Sequence, residues 1–420
     1  MKICVIGLGY IGLPLAAVLA HSGHPVRGVD TNRGVVDSLR SGTLPGTEPA
    51  LAALALDAVR TGRLVPADSV SRADVFVVAV PTPLGKAHKA DLSHVEQAVD
   101  TIAPSLEEGN LVVIESTVPV GTTERMASRL LESRPDLASP GGRPLFFAAH
   151  CPERVLPGKI LEELVGVDRV VGGLDPESTA RAAGFYASFV RGTVHSTDVR
   201  TAEMCKLVEN ASRDVSIAFA NEVSMLCSRL GIDSSNLIRL ANRHPRVRIM
   251  EPGPGVGGHC IPVDPWFLVQ SAPRETRLIR SARRVNERKT AWVLERIREA
   301  EARFENPVVA CLGLAYKPNV NDLRESPAVF IAKALCENEQ CTVRVVEPHI
   351  RELPPSLGLF RNCRLTGLGQ ALSEAHVVAL LTRHREFEGL PEGLRAGTVF
   401  IDPNGSVQEV GPEAEGGKRP

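Results

Sequence analysis

Residues 2–30 read KICVIGLGYIGLPLAAVLAHSGHPVRGVD. KICVIG has the composition of a strand, and Gly7, Gly9 and Gly12 then follow in the order G-x-G-x-x-G. YIGLPLAAVLAHSG suits a helix, and HPVRGVD returns as a strand that ends in Asp30. A lone G-x-G-x-x-G is a weak signal. One that follows a strand, opens a helix and leads to a strand-terminal acid is a strong dinucleotide signal. The glycines let a pyrophosphate rest on the helix N-terminus, where backbone N–H groups are free. Asp30 can accept both ribose hydroxyls and repels a 2′-phosphate, so NAD is expected over NADP, with Arg33 close enough to weaken that preference.

Two further strand-like runs, ADVFVVAVPTP and NLVVIESTVPVGTT, end in small polar residues, Thr82 and Ser116-Thr117. In an open parallel sheet such strand ends line the ligand crevice. A third run, LFFAAHCPE, carries the pattern forward to Glu153. From about 197 to 300 the apolar spacing turns helical. There Lys206, Asn210 and Arg213 fall at i, i+4 and i+7 and share one helix face, which is either a solvated stripe or a functional one. After 304 the order strand, turn, helix, acid-terminated strand begins again with NPVVACLGLAYKPN and CTVRVVEP. The glycine fingerprint is absent from this second half. Ala315-Tyr316-Lys317 stands in its place, and a lysine at a strand end suits a phosphate. The fold class expected is therefore α/β: two doubly wound, Rossmann-like parallel-sheet domains joined by a helical domain. The divisions fall at 1–195, 196–303 and 304–408, with 409–420 as a disordered tail.

A chain of 420 residues fits several domains better than one core. A formal net charge of -1 gives no electrostatic case for nucleic acid or an anionic membrane. No apolar run is long enough to span a bilayer. The nine cysteines form no CxxC pair, so neither a disulfide framework nor a structural zinc is expected, and a reducing cytoplasm is. Cys4 and Cys311 read as core fillers. His150, His195 and His376 read as surface or turn residues rather than ligands. The run RETRLIRSARRVNERK reads most simply as the solvated face of a long helix. Trp266 and Phe267 fit either stacking on a base or sugar, or burial in the core.

One cysteine stands apart. Residues 252–266 read PGPGVGGHCIPVDPW, a glycine-rich lead-in that delivers the chain to Cys260. Glycine runs mark sharp turns or close backbone approach. The thiolate is the reactive form, and either the adjacent His259 or a helix N-terminus can help it form. Added to an aldehyde, a thiolate gives a thiohemiacetal, which oxidises to a thioester that water cleaves. Cys260 beside an NAD domain therefore points to oxidation carried through to a carboxylate.

GLGYIGLPLA, VPTP, ESTVPVGTT, KLVEN, PGVGGHCIPVDPWF and GLAYKPNVNDLRESPA together resemble the UDP-glucose/GDP-mannose dehydrogenase family, from Met1 to about Ser406. The resemblance implies four-electron oxidation of a nucleotide-sugar C6 hydroxyl to a uronic acid, two NAD per turnover, and a homodimer built on the central helices. It makes Cys260 the nucleophile. Lys206 and Asn210 become oxyanion stabilisers, and Asp264 with Lys206 and Thr117 acts on the hydrolytic water. Glu153 takes the family's acid position. Gly7, Gly9, Tyr10, Ile11, Gly12, Asp30, Thr82, Thr117 and Arg324 are implied for NAD, and Tyr316 and Lys317 for the substrate phosphates. CPERVLPGKI and NRHPRVRIMEPG resemble the UDP-N-acetylmannosamine branch, implying Arg154, Val155, Arg213, His244, Arg246 and Gly257 around an N-acetylated sugar. UDP-N-acetylglucosamine and UDP-glucose 6-dehydrogenases are alternatives within the family. A two-electron hydroxyacid dehydrogenase and a non-catalytic NAD-binding scaffold are the alternatives outside it.

Overall fold

The structure is a computed structural model that describes residues 1–44, 47–155, 160–390, 392, 394–404 and 406–409. The chain divides into two compact units, Met1–Glu209 with Trp266–Pro273, and Asn210–Pro265 with Arg274–Pro420.

The first unit is built on an eight-stranded sheet. Its strands are β1 (Ile3–Ile6), β2 (Val26–Val29), β3 (Leu64–Ala67), β4 (Val75–Val78), β5 (Leu111–Ile114), β6 (Phe147–His150), β7 (Arg169–Gly173) and β8 (Val194–Asp198), in the order β3-β2-β1-β4-β5-β6-β7-β8. β1 to β6 are parallel, and β7 pairs antiparallel with β6. β1 and β4 are apolar throughout and buried on both faces, as central parallel strands must be. Alternate residues feed opposite sides. Ile3, Val5, Val75 and Val77 join one core, and Cys4, Ile6, Phe76 and Val78 join the other. The strand order reverses between β1 and β4, where open α/β sheets bind ligands.

The second unit repeats this plan with β9 (Val308–Leu312), β10 (Thr342–Val346), β11 (Cys363–Leu365), β12 (Val377–Leu380), β13 (Val399–Asp402) and β14 (Ser406–Glu409), in the order β11-β10-β9-β12-β13-β14. Thus both halves are doubly wound and the middle is helical, as the sequence pattern indicated. Its long helices are Val199–Leu230 and Arg277–Glu301. No helix among the described residues is long and apolar enough to cross a membrane. The expected tail lies outside the described residues from 410 onward.

The basic run is not simply a solvated face. Arg283 and Lys289 are buried, at 4% and 0% exposure. Arg283 Nη1 donates to Asp214 Oδ1 at 2.6 Å, and Asn286 Nδ2 donates to the same oxygen at 2.8 Å. Asn221 Nδ2 donates to Asn286 Oδ1 at 2.9 Å, and Lys289 Nζ donates to Ser224 Oγ at 2.6 Å. Buried polar groups persist when partnered in this way. Sequence periodicity cannot tell such a lysine from a solvated one, because both carry the same charge. His150 also departs from the surface reading. It closes β6, fully buried, and burial pulls its pKa down to about 3.

Lys289 provides a test. Burial pushes its pKa down to about 7, opposed by Asp402, whereas the unfolded chain keeps the proton to about 10.5. Between those values the unfolded state binds more protons, so this residue's contribution to stability rises with pH. Urea midpoints at pH 7 and pH 9 should show the wild type gaining on Lys289→Met as pH rises. An unchanging gap between the two would rule out a neutral buried lysine.

Candidate active site

In the first unit two of the three fingerprint glycines are required by the protein itself. Gly7 has φ +93°, and a Cβ there would lie 2.4 Å from Ala79 O. A Cβ on Gly12 would lie 1.8 Å from Gly7 O. Gly9 differs, because no protein atom comes within 4 Å of its Cβ position. That open space fits a pyrophosphate at the start of helix Gly12–His21. Asp30 Oδ2 accepts from Leu8 N at 2.8 Å and Oδ1 from Asn32 N at 2.8 Å. The carboxylate is half-buried beside the turn, and each oxygen keeps a lone pair for a ribose hydroxyl. Tyr10 is 37% exposed and Ile11 half-buried at the same turn. These residues fit a dinucleotide.

Past the strand ends, Thr82 Oγ1 donates to Thr117 O at 2.7 Å, and Ser116 Oγ accepts from Val80 N at 2.9 Å. The two predicted polar ends are thereby tied together. Glu203, buried at 1% exposure, accepts from Gly121 N and Thr123 N at 2.6 and 2.8 Å. It fixes that segment to the helix that carries Lys206. Lys206 Nζ lies 3.6 Å from Glu153 Oε2, with both residues buried, and Val155 N donates to Glu153 Oε1. Arg154 pairs with Glu209 at 2.7 Å and donates to Asp168 O at 3.2 Å. Val155 packs against the core. Four residues of the CPERVLPGKI stretch, 156–159, lie outside the described residues.

Sequence reasoning missed a buried set in this unit. Tyr186 Oη donates to Glu115 Oε1 at 2.9 Å. Burial raises the Glu115 pKa to about 7 against the opposing charge of Arg169. The signal was Glu115 itself, an acid at the end of an apolar strand.

In the second unit the glycine lead-in is explained by close approach. A Cβ on Gly257 would lie 2.7 Å from both Glu325 O and Tyr316 Cβ, and one on Gly255 would lie 2.2 Å from Thr290 Oγ1. Gly258, with φ +85°, faces the Tyr316 ring and donates its N–H to Arg324 O at 3.0 Å. Gly253 N donates to Asn221 Oδ1 at 3.0 Å, which joins the lead-in to the buried helix network. Cys260 follows. Seven cysteines are buried, and only Cys205 and Cys260 are half-exposed. Val263 N and Asp264 N both donate to Cys260 O, at 3.0 and 2.9 Å, so one turn links the thiol residue to Asp264. Asp264 is buried, and Asn210 Nδ2 donates to its Oδ2. The structure therefore brings Asn210 and Asp264 together, one turn after the thiol residue.

Lys317 Nζ lies 5.7 Å from the Tyr316 ring centroid. Burial holds Lys317 below the usual lysine range; Asp322 opposes this and Arg213 adds to it. Two neighbouring cations, one partly desolvated, suit a polyanion. Burial would raise Asp322, but hydrogen bonds from Arg324 outweigh it and hold the carboxyl below its usual range, and His259 adds to them. Arg324 Nη2 lies 2.5 Å from Asp322 Oδ2. His244 and Arg246 are exposed on a loop bracketed by Asn242, which pairs with Ile249 N and O at 2.7 and 2.9 Å. Trp266 and Phe267 are both buried, Trp266 stacking on His88 at 4.1 Å.

Known proteins share this fold. Residues 1–190 match the NAD binding domain of the UDP-glucose/GDP-mannose dehydrogenase family, 200–288 its central domain and 310–408 its UDP binding domain. A Ralstonia nicotianae protein named NDP-N-acetyl-D-galactosaminuronic acid dehydrogenase is 50% identical over 406 residues, covering 96% of this chain and 95% of its own. The UDP-N-acetyl-D-mannosamine dehydrogenase of Escherichia coli K12 is 49% identical over 398 residues, covering 92% and 94%. Among solved structures, a UDP-D-ManNAc dehydrogenase from Pyrococcus horikoshii aligns with a TM-score of 0.85 at 36% identity, covering 96% of this chain and 99% of that one. With three domain matches in order and relatives near half identity along almost the whole length, the chain belongs to the UDP-glucose/GDP-mannose dehydrogenase family and is an NAD-dependent nucleotide-sugar dehydrogenase.

Proposed function

We propose that the enzyme oxidises the C6 hydroxyl of a UDP-N-acetylhexosamine to the uronic acid, with UDP-N-acetyl-D-mannosamine as the favoured sugar. The observation that carries this is the half-exposed Cys260, held after a sterically fixed glycine lead-in and one turn before the Asn210–Asp264 pair.

NAD, held by Gly7, Gly9, Gly12, Tyr10, Ile11, Asp30, Thr82, Thr117 and Arg324, supplies the oxidising power for two successive oxidations. The Cys260 sulfur adds to the C6 aldehyde and forms a C–S bond, while the thiol proton goes to the carbonyl oxygen. Oxidation of this thiohemiacetal gives a thioester. Water then breaks the C–S bond, leaving the carboxylate and the free thiol. In sum, the alcohol, one water and two NAD⁺ give the carboxylate, two NADH and three protons. Asn210 and Lys206, one helical turn apart, stabilise the oxyanion of each adduct. Asp264, with Thr117, orients the water, and Glu153 Oε2, 3.6 Å from Lys206 Nζ, fixes where that side chain sits. Lys317, Tyr316 and Arg213 bind the diphosphate. Gly257, Arg154, Val155, His244 and Arg246 shape the sugar end.

The N-acetylhexosamine class is common to the sugars in the names of the Ralstonia and Escherichia relatives. The galactosaminuronic name at 50% identity favours a galacto-configured substrate as the second reading. Stereoisomer choice turns on few contacts, on the order of 1–3 kcal/mol. Three working parts, 1–195, 196–303 and 304–408, carry cofactor, chemistry and nucleotide. The nine free cysteines support a cytoplasmic setting. A homodimer is supported by the apolar face of helix Val199–Leu230, where Phe219, Leu226 and Leu230 are 57%, 54% and 60% exposed.

Incubation with NAD and a panel of UDP-sugars should yield two NADH per sugar consumed; a ratio of one would remove the four-electron assignment. Cys260→Ser should lower uronate formation by about a thousandfold with NAD affinity unchanged, and uronate made at the parental rate would remove the thiol from the chemistry. Phe219→Glu with Leu226→Glu should convert a dimer to a monomer in light scattering. A dimer that survives both changes must use another face.

A further inference from the structure

Glu347 stands at the end of β10 as Asp30 stands at the end of β2. Each acid accepts the N–H that follows the first glycine of its turn, Leu8 N to Asp30 at 2.8 Å and Leu314 N to Glu347 at 2.7 Å. Beyond that the two positions diverge. Glu347 is 4% exposed and accepts three further bonds, from Ala315 N at 3.0 Å, His349 N at 3.1 Å and His384 Nε2 at 3.0 Å. A carboxylate so occupied has no room for a ribose.

The bonds converge on one short segment. His384, 2% exposed, accepts from Asn319 N through Nδ1 at 2.9 Å, which leaves its ring proton on Nε2 for Glu347. Asn319 sits at φ 60°, and its Oδ1 accepts from Arg385 N at 3.1 Å. Thr382 Oγ1 donates to Ala315 O, and Ser326 Oγ donates to Leu314 O, both at 2.6 Å. Burial alone would raise Glu347. The bonds from His384 and the backbone outweigh it and hold the carboxyl below its usual range, so they are made to the charged form. The ligand atoms of Glu347, His349 and His384 lie within 4.8 Å of one another, as a cation cluster would. However, both nitrogens of His384 and both oxygens of Glu347 are already engaged.

We propose that Glu347 and His384 are positioning residues that clamp the 314–319 backbone so that Tyr316 and Lys317 meet the diphosphate of the nucleotide sugar. The second half thereby turns the strand-end acid that a dinucleotide fold offers to ribose into an internal latch. This rests on the reading that Tyr316 and Lys317 bind phosphate.

Calorimetric titration of the full chain with UDP, and separately with NAD, tests it. Glu347→Gln and His384→Ala should each weaken UDP about tenfold (about 1.4 kcal/mol) and leave NAD binding within about twofold. His384→Asn retains an acceptor for Asn319 N and should recover most of the UDP affinity, a rescue that general loosening of the fold would not produce. Lys317→Ala binding UDP as tightly as the parent would overturn the phosphate reading and the proposal with it. Weak UDP binding by Lys317→Ala beside parental binding by Glu347→Gln and His384→Ala would overturn the latch alone. If His384→Ala does not fold, Glu347→Gln, which preserves side-chain volume, decides the matter.

Discussion

At Gly257 backbone rests on backbone, with no space for even a methyl group between it and Glu325 O or the root of Tyr316. The position of the following residues depends on that contact. It fixes where the chain can go next, so Cys260 arrives one turn before Asp264. The neighbouring contacts act in the same direction. Gly255 touches Thr290, and Gly253 is tethered to Asn221, which belongs to the network around Asp214. Glycine is costly to order, and a chain that concentrates it before one thiol exchanges stability for placement. The helix network links Asp214, Arg283, Asn286 and Asn221 in a chain of partners rather than in isolated pairs, while Asp214 Oδ2 and Arg283 Nε are left without one.

The two Rossmann-like halves show one architecture serving two ligands. Both reverse their strand order at the same place, and both put a positive-φ glycine where the first strand leaves the sheet, Gly7 in one and Gly313 in the other. In each the acid at the end of the second strand braces the turn. Only the first half keeps a second glycine with open space beside it. The second half fills the equivalent region with a tyrosine and a lysine and binds its acid to a histidine. The two turns thus differ in a handful of residues, while the order of the five strands around the switch point is the same in both sheets.

Much of this was legible in the chain. The fingerprint glycines, the strand-terminal Asp30 and the apolar runs of β1, β4, β5, β9 and β12 have periods and punctuation that only a doubly wound sheet satisfies. The short strands β7 and β8 escaped notice because they mix apolar residues with glycine or polar ones over five positions, and β3 because it is only four residues with a proline inside, LVPA. The Cys260 lead-in announced itself by composition, although its partners did not. Tyr316 and Glu325 lie far along the sequence, and close approach between distant segments leaves no local pattern. The same is true of Glu115 with Tyr186 and of Glu203 with residues 121–123. Charged residues such as Arg283 and Lys289 were misread for a different reason, since charge in a sequence says nothing of whether the fold supplies a buried counterpart.

Helix Val199–Leu230 carries Lys206 near one end and the exposed Phe219, Leu226 and Leu230 toward the other. Positions 219, 226 and 230 are seven and four residues apart, so their side chains fall within about 40° of one another around the helix axis. Left in water such a strip is a standing free-energy cost, and a surface that shields it recovers that cost as binding energy.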